Sequence, residues 1–200
     1  MRQLQAAGGT ALTGPGPRSH RVLSARSAGS LSLAIGAVGY GIDLLTKELA
    51  LAHLDPTDPP VLLGGLLRLQ LIRNPGAAFS MGEDFTVVLS LVAIAALVFV
   101  LAWLLPRTRH VGWSVGLGLL LAGILGNLTD RLVRPPAPFH GHVIDFLQLP
   151  NFAIFNVADM CITFAAITII WLVVVTQVDL TGASTRERAQ DAPVGPRDDA

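Results

Sequence analysis

Two aspartates in the segment HGHVIDFLQLPNFAIFNVADM are the side chains best suited to chemistry in this sequence. They are Asp145 and Asp159, and Asn156 stands one helical turn before the second, on the same helix face. The aspartates lie 14 positions apart, so a loop must fold back on a helix to bring them together. Two carboxyl groups in a partly desolvated site share one proton, and their pKa values split. Such a pair can activate water and protonate a leaving amine, with no metal or covalent intermediate.

Other charged and amide side chains recur at helical spacing in apolar stretches. Asp43 and Lys47 are four positions apart in GYGIDLLTKELA, where a carboxylate and an ammonium group can pair. Asn127 and Arg131 have the same spacing in GILGNLTDRL, and Asp130 adds a carboxylate next to the arginine. A charge at the centre of a membrane span costs about 2.5–3.5 kcal/mol on insertion scales, so each of these groups needs a partner or a function.

The composition indicates a membrane protein. Of the 200 residues, 52% are hydrophobic and 14% are charged, with a mean hydropathy of +0.58, whereas a soluble domain has about 25% charged residues. The net charge of zero offers no basic surface for neutralising phosphates, which argues against nucleic-acid binding. The single cysteine, Cys161, cannot close an intrachain disulfide, and we interpret it as a packed core residue rather than a nucleophile.

The apolar stretches predict an all-α membrane protein. A bilayer core of about 30 Å takes about 20 helical residues to cross. Four stretches meet that length, at about 31–53, 85–105, 111–132 and 153–178. We therefore predict four transmembrane helices within a single membrane domain, 31–178.

The remaining segments are predicted to be tails and connections. The polar segments 1–30 and 179–200 are expected to be disordered. Arginines precede the first span and lie in the link PRTRH between the second and third, which puts that link and both termini in the cytoplasm by the positive-inside rule. Two outer loops remain, 54–84 and 133–152. In the first, the stretch VLLGGLLRLQLIRN favours a small antiparallel β-sheet.

Five sequence blocks, in order, resemble the lipoprotein signal peptidases, also called type II signal peptidases. The resemblance runs from about 39 to 164. Its blocks are IDLLTK at 42–47, RNPGAAFS at 73–80, GNLTDR at 126–131, GHVIDF at 141–146 and FNVADM at 155–160. Each block alone is weak, but five in order, all in outer loops or the outer parts of predicted spans, are specific.

The resemblance implies a role for each matching residue. It assigns the catalytic pair to Asp145 and Asp159, and a structural pair in the first helix to Asp43 and Lys47. The residues that would bind the substrate backbone or support the two aspartates are Asn74, Gly76, Asn127, Asp130, Arg131 and Asn156. From the residues alone, Asp130 remains an alternative catalyst, although the neighbouring arginine could hold it in an ion pair.

The resemblance also implies an activity and a location. The expected enzyme is an aspartic endopeptidase that cleaves a prolipoprotein just before a cysteine carrying a diacylglyceryl group. Its expected partners are these substrates and membrane lipids, with no cofactor, no metal, no nucleic acid and no obligate protein partner. The expected location is the bacterial cytoplasmic (inner) membrane, with the active site at the outer face.

Some features depart from the family pattern or suggest other functions. Pro75 stands where another residue is expected, and the short stretch between the aspartates predicts a small lid. His140 and His142 could bind a metal, but no third ligand lies nearby. A small proton- or ion-coupled transporter using the same acids is the main alternative. A presenilin-type protease is disfavoured because Ile42 spoils its G-x-G-D spacing, and a structural or assembly protein would have little use for two unpaired aspartates.

Overall fold

The structure is a computed structural model that describes residues 22–76 and 84–184. Most of the two predicted tails and the second half of the RNPGAAFS block lie outside the described residues. Four helices are long and apolar enough to cross a membrane. They are α1 (Ala25–His53), α2 (Asp84–Phe99, continuing through short π- and 3-10-helical turns to Arg107), α3 (Val111–Val133) and α4 (Val157–Ile170, continuing as a π-helical turn to Thr176). The predicted four-helix fold is confirmed.

Helix caps move two of the predicted boundaries. Helix α1 begins at Ala25 rather than near 31, because the side chain of Ser24 accepts a hydrogen bond from the Ser27 N–H at 3.1 Å and caps the first turn. Residues 25–30 are therefore helical, not disordered. Helix α4 begins at Val157 rather than near 153, because Asn156 caps it. Hydropathy alone does not detect caps.

The start of the predicted C-terminal tail is also ordered. The N–H of Asp179 donates to the carbonyl of Ala183 at 3.0 Å, and Val178 forms a β-bridge with Ser184. The indole N–H of Trp113, at the start of α3, donates to the carbonyl of Val178 at 3.0 Å. The chain after α4 is therefore folded at least as far as 184.

Helix α3 occupies the centre of the bundle, between α1 and α4, and α2 packs against it from another side. Small residues allow the close approach. A Cβ atom at Gly118 would lie 2.8 Å from both the Ile35 Cβ and the Ser32 carbonyl oxygen of α1. Leu117 and Leu121 of the same helix are buried with Val100 in the apolar core. This central position makes α3 the scaffold on which side chains from the other elements converge.

Three antiparallel strands form a small sheet in the order β1 (Val61–Leu62), β2 (Leu67–Asn74) and β3 (Val143–Gln148). The predicted sheet is confirmed, but its third strand comes from the segment predicted as the second loop, 133–152. Strand β3 lies at the end of the bundle where α1 and α3 end and α4 begins, which we call the sheet end. Pairing of Ile72 with Asp145 fixes a candidate catalytic residue to a strand instead of a free loop.

Candidate active site

Asp145 is held on β3 with its carboxyl group almost fully buried, at 2% exposure. Asn74 lies diagonally across the sheet on β2, and its Nδ2 donates to Asp145 Oδ2 at 2.8 Å. The Asn74 Oδ1 accepts the N–H of Gly76 at 2.9 Å, which orients the amide. Gly76 has a φ of +104°, a backbone conformation that residues with a side chain rarely adopt. Asn74 and Gly76 thus act as one unit that supports Asp145.

Asp159 occupies the first turn of α4, where it forms a capping box with Asn156. The Asp159 N–H donates to Asn156 Oδ1 at 3.0 Å, and the Asn156 N–H donates to Asp159 Oδ2 at 3.1 Å. The remaining carboxylate oxygen, Oδ1, accepts a hydrogen bond from Asn127 Nδ2 of α3 at 2.8 Å. The helix end and the central helix therefore fix the direction of this carboxylate.

Backbone pairing brings the two aspartates together. Phe155 donates its N–H to the Leu147 carbonyl at 2.9 Å, and its own carbonyl accepts the N–H of Leu147 at 2.9 Å. Leu147 lies two residues after Asp145, and Phe155 immediately precedes the cap of α4. The chain between the aspartates thus folds back on itself and is held by backbone hydrogen bonds. Two aspartates 14 positions apart need such a loop to come together.

Two asparagine side chains link the carboxyl groups. Asn156 Nδ2 donates to Asp145 Oδ1 at 2.6 Å and to Asn127 Oδ1 at 3.1 Å. Because Asn127 in turn donates to Asp159, a continuous chain of hydrogen bonds connects Asp145 to Asp159. Asn127 and Asn156 therefore stand between the aspartates, in positions from which they can orient both.

The environments of the two carboxyl groups differ. Burial raises the pKa of Asp145 from its ordinary 3.8 to about 6, and the neighbouring negative charge of Asp159 adds to the rise. Hydrogen bonds from Asn74 and Asn156 and the positive charge of Lys47 oppose it. Asp145 is thus suited to hold a proton at a pH where an ordinary aspartate is ionised.

Asp130 is fully buried but is held by other partners. Its Oδ2 lies 2.8 Å from Lys47 Nζ and accepts the N–H of Ile144 at 3.2 Å, while its Oδ1 pairs with Arg134. The sequence suggested Arg131 as its ion-pair partner, and this was wrong: the arginine that pairs with Asp130 is Arg134, four residues later, directly after the end of α3. Ion pairs with Lys47 and Arg134 set Asp130 apart from Asp145 and Asp159. The oxygens of those two aspartates instead accept hydrogen bonds from asparagine amides and a backbone N–H.

The predicted pair of Asp43 and Lys47 is present. Lys47 Nζ lies 2.8 Å from Asp43 Oδ2, and both side chains are fully buried. Lys47 also donates to Asn127 Oδ1 at 3.2 Å. The spacing in the sequence predicted the pair, but not this contact with a residue that reaches Asp159.

Arg131 lies beside the two aspartates, partly buried at the end of α3. Its Nη1 donates to the carbonyl oxygen of Asn127 at 3.4 Å, and its positive charge is attracted to the negative charges of Asp159 and Asp145. Sequence reasoning did not identify Arg134 and Glu48, which pair at 2.7 Å next to Asp130. The four-residue spacing of Asp130 and Arg134 could have predicted the ion pair that Arg134 makes.

An apolar cavity of about 400 Å³ opens beside Asp159. It is lined by Phe152, Phe155, Asp159, Met160, Thr163 and Phe164. A cavity of similar size, about 420 Å³, lies near Trp113 and Val178 at the opposite end of the bundle. Only the first adjoins the linked carboxyl groups, so it is the one relevant to chemistry. Within 22–76 and 84–184, no three His, Cys, Asp or Glu side chains are grouped to hold a metal ion.

Comparisons with known proteins agree with this fold. Residues 35–175 match the family model described as signal peptidase (SPase) II. The lipoprotein signal peptidase of Rhodococcus jostii is 44% identical over 158 residues, which cover 78% of this chain and 77% of that protein. The lipoprotein signal peptidase of Leifsonia xyli is 50% identical over 127 residues, which cover 63% of this chain and 58% of that protein.

Solved structures share the fold. A structure described as a bacterial membrane enzyme is 24% identical, with a TM-score of 0.61, and the match covers 79% of this chain and 99% of that one. A second structure with the same description gives a TM-score of 0.60. The fold and the membrane-spanning helices define a multi-pass membrane protein of a bacterial enzyme family. The chain belongs to the signal peptidase II family.

The capping role of Asn156 can be separated from its contact with Asp145. A serine can still accept the N–H of the third helical residue, whereas an alanine cannot. We expect Asn156→Ala to be less stable than Asn156→Ser by about 1 kcal/mol. Thermal unfolding of the two variants, purified in the same detergent, measures the difference. Equal unfolding midpoints would contradict the capping role.

Proposed function

We propose that this member of the family is an aspartic endopeptidase in which Asp145 and Asp159 form the catalytic pair. Its substrate would be a diacylglyceryl-modified prolipoprotein, cleaved just before the lipidated cysteine. The observation that carries the proposal is the linkage of the two carboxyl groups through Asn127 and Asn156. Lipoprotein processing by a protease follows from the family, whereas the pair of aspartates and the cleavage position are the proposal.

The different environments of the carboxyl groups suggest how they divide the reaction. Asp145, whose pKa is raised to about 6, carries the proton and acts as the acid, and Asp159 acts as the base. Asp159 takes a proton from water as the water oxygen bonds to the scissile carbonyl carbon. Asp145 then gives its proton to the amide nitrogen as the C–N bond breaks. Return of the proton from Asp159 to Asp145 restores the starting state.

Neighbouring groups are placed to bind the substrate backbone. Arg131 carries donors on its guanidinium group that can reach a substrate carbonyl next to the aspartates. Gly76, two residues after Asn74, donates its N–H to the Asn74 amide oxygen and so keeps that amide beside the aspartates. These residues would hold the scissile bond close to the water that Asp159 activates.

The surroundings of Asp159 suit a substrate that is partly in lipid. Met160 and Phe164 are exposed on α4 at 38% and 53%, next to the apolar cavity. Acyl chains on a substrate cysteine can remain among lipids along this face while the amide bond meets water at the membrane surface. This arrangement explains why a protease for lipidated substrates would place its carboxyl groups at the end of a helix bundle.

The arginines at the end opposite the sheet support an orientation. Arg107 ends the last helical turn after α2, and Arg109 lies in the link to α3. The positive-inside rule therefore places that end of the bundle in the cytoplasm. Both termini would then be cytoplasmic, and the sheet end would face outward from the bacterial cytoplasmic membrane. A transporter would need carboxylates at several membrane depths, whereas the buried carboxylates Asp43, Asp130 and Asp145 gather at the sheet end.

The catalytic pair is tested by removing one acid at a time. We expect Asp145→Asn and Asp159→Asn each to lower cleavage of a lipidated precursor by about 10³-fold or more, because neither variant can complete the proton transfers. Asp58→Asn, the same change in an exposed loop on the same side of the bundle, is the control and should cleave normally. Turnover retained in either aspartate variant, with the protein folded in the membrane, would refute the assignment of the catalytic pair.

The proton on Asp145 predicts the pH dependence of kcat/KM. A raised pKa keeps the carboxyl protonated to higher pH, so activity that needs this proton is retained below about 6 and falls as the pH rises through it. Asn74 donates a hydrogen bond that lowers this pKa, so Asn74→Ala should move the falling limb to higher pH. Gln70→Ala, on the same strand, is the control because its amide binds Pro56 instead. A limb that stays in place or moves to lower pH in Asn74→Ala would exclude this role for Asp145.

A further inference from the structure

The buried Lys47 ammonium group has three polar neighbours within the bundle. The group lies 2.8 Å from Asp43 Oδ2 and 2.8 Å from Asp130 Oδ2, and it donates to Asn127 Oδ1 at 3.2 Å. The ammonium group therefore makes two ion pairs with carboxylates and one hydrogen bond with an amide oxygen. Lys47, Asp43 and Asp130 are each 0% exposed, and water therefore competes for none of these contacts.

The contact with Asn127 determines which way its amide points. Asn127 Oδ1 accepts hydrogen bonds from Lys47 and from Asn156 Nδ2, which leaves Nδ2 directed at Asp159. A reversed amide would place its NH₂ group against two donors and its oxygen against the carboxylate of Asp159. The positive charge of Lys47 thus removes the ambiguity that an amide otherwise has between its two orientations.

The carboxylate partners of Lys47 also hold the backbone next to each proposed catalytic residue. Asp43 Oδ1 accepts the N–H of Ala158 at 2.8 Å, one residue before Asp159. Asp130 Oδ2 accepts the N–H of Ile144 at 3.2 Å, one residue before Asp145. The same ammonium group is therefore connected, through one carboxylate each, to the start of α4 and to β3.

We propose that Lys47 is a positioning residue that sets the geometry of the catalytic pair through the Asn127 amide, beyond its role in an ion pair within α1. The inference rests on the proposed function, because it assigns Lys47 an effect on that reaction. Lys47 contacts neither aspartate of the pair by a hydrogen bond in the described structure. Its effect is on the orientation of a donor, so it should change kcat and leave KM unchanged.

The test removes the ammonium group without leaving an unpaired charge. Lys47→Met alone would leave a buried carboxylate unpaired and risk unfolding. The double variant K47M/D43N removes a matched pair, retains an oxygen at position 43 for the N–H of Ala158, and leaves Asp130 with Arg134. K47L/D43N, which likewise leaves Asp130 paired with Arg134, is a second neutral variant for the same measurement. Glu48→Gln, which changes a partly exposed ion pair nearby, is the control.

Steady-state cleavage of a lipidated precursor by each variant, after thermal unfolding has confirmed its fold, gives kcat and KM. We expect K47M/D43N to lower kcat on the order of 100-fold with KM unchanged, and Glu48→Gln to leave both constants unchanged. In an Asn127→Ala background the same double substitution should lower kcat by less than about twofold, because the amide on which Lys47 acts is absent.

Two outcomes would overturn the inference. One is a folded K47M/D43N variant, or a folded K47L/D43N variant, with normal kcat. The other is a loss of kcat that is equally large with and without Asn127. Either result is distinct from failure of the proposed function. That failure would appear as turnover retained in Asp145→Asn or Asp159→Asn, and it is measured without any Lys47 variant.

Discussion

A single buried ammonium group lies at the centre of the interactions at the sheet end. Lys47 bridges Asp43 on its own helix and Asp130 on the central helix. Burying three charges costs desolvation energy that their attraction only partly recovers, and removal of one partner from such a pair typically costs about 3–5 kcal/mol. The arrangement therefore serves to position the surrounding elements more than to stabilise the fold. It connects α1, α3, α4 and β3 at the level of the carboxyl groups.

Two aspartates that look equivalent in the sequence acquire different properties from this framework. Asp145 lies on a strand, nearly without exposure to water, and its proton is favoured by burial. Asp159 lies at the start of a helix, where backbone N–H groups and the helix dipole favour a negative charge. This difference suits the proposed division of roles, in which Asp145 is the general acid and Asp159 the general base in amide hydrolysis.

Much of the fold could be predicted because it depends on local properties of the chain. Length and hydropathy identified four spans, and helical spacing identified the pair of Asp43 and Lys47. The third strand was missed because its pairing is long-range: Asn74 and Asp145 lie 71 positions apart in sequence. The start of α1 was missed because the capping hydrogen bond of Ser24, rather than hydropathy, defines it. The grouping of Asn127, Asn156 and Lys47 around the aspartates likewise depends on how three helices pack, which spacing within one helix does not reveal.

Incubation of the purified protein with a diacylglyceryl-modified precursor, followed by mass spectrometry of the products, shows whether the protein cleaves lipidated substrates without a metal ion. We expect one cleavage, immediately before the lipidated cysteine, at a rate that a metal chelator does not change. Cleavage at another bond would contradict the proposed cleavage position. Cleavage abolished by the chelator and restored by added metal would contradict hydrolysis by a pair of aspartates.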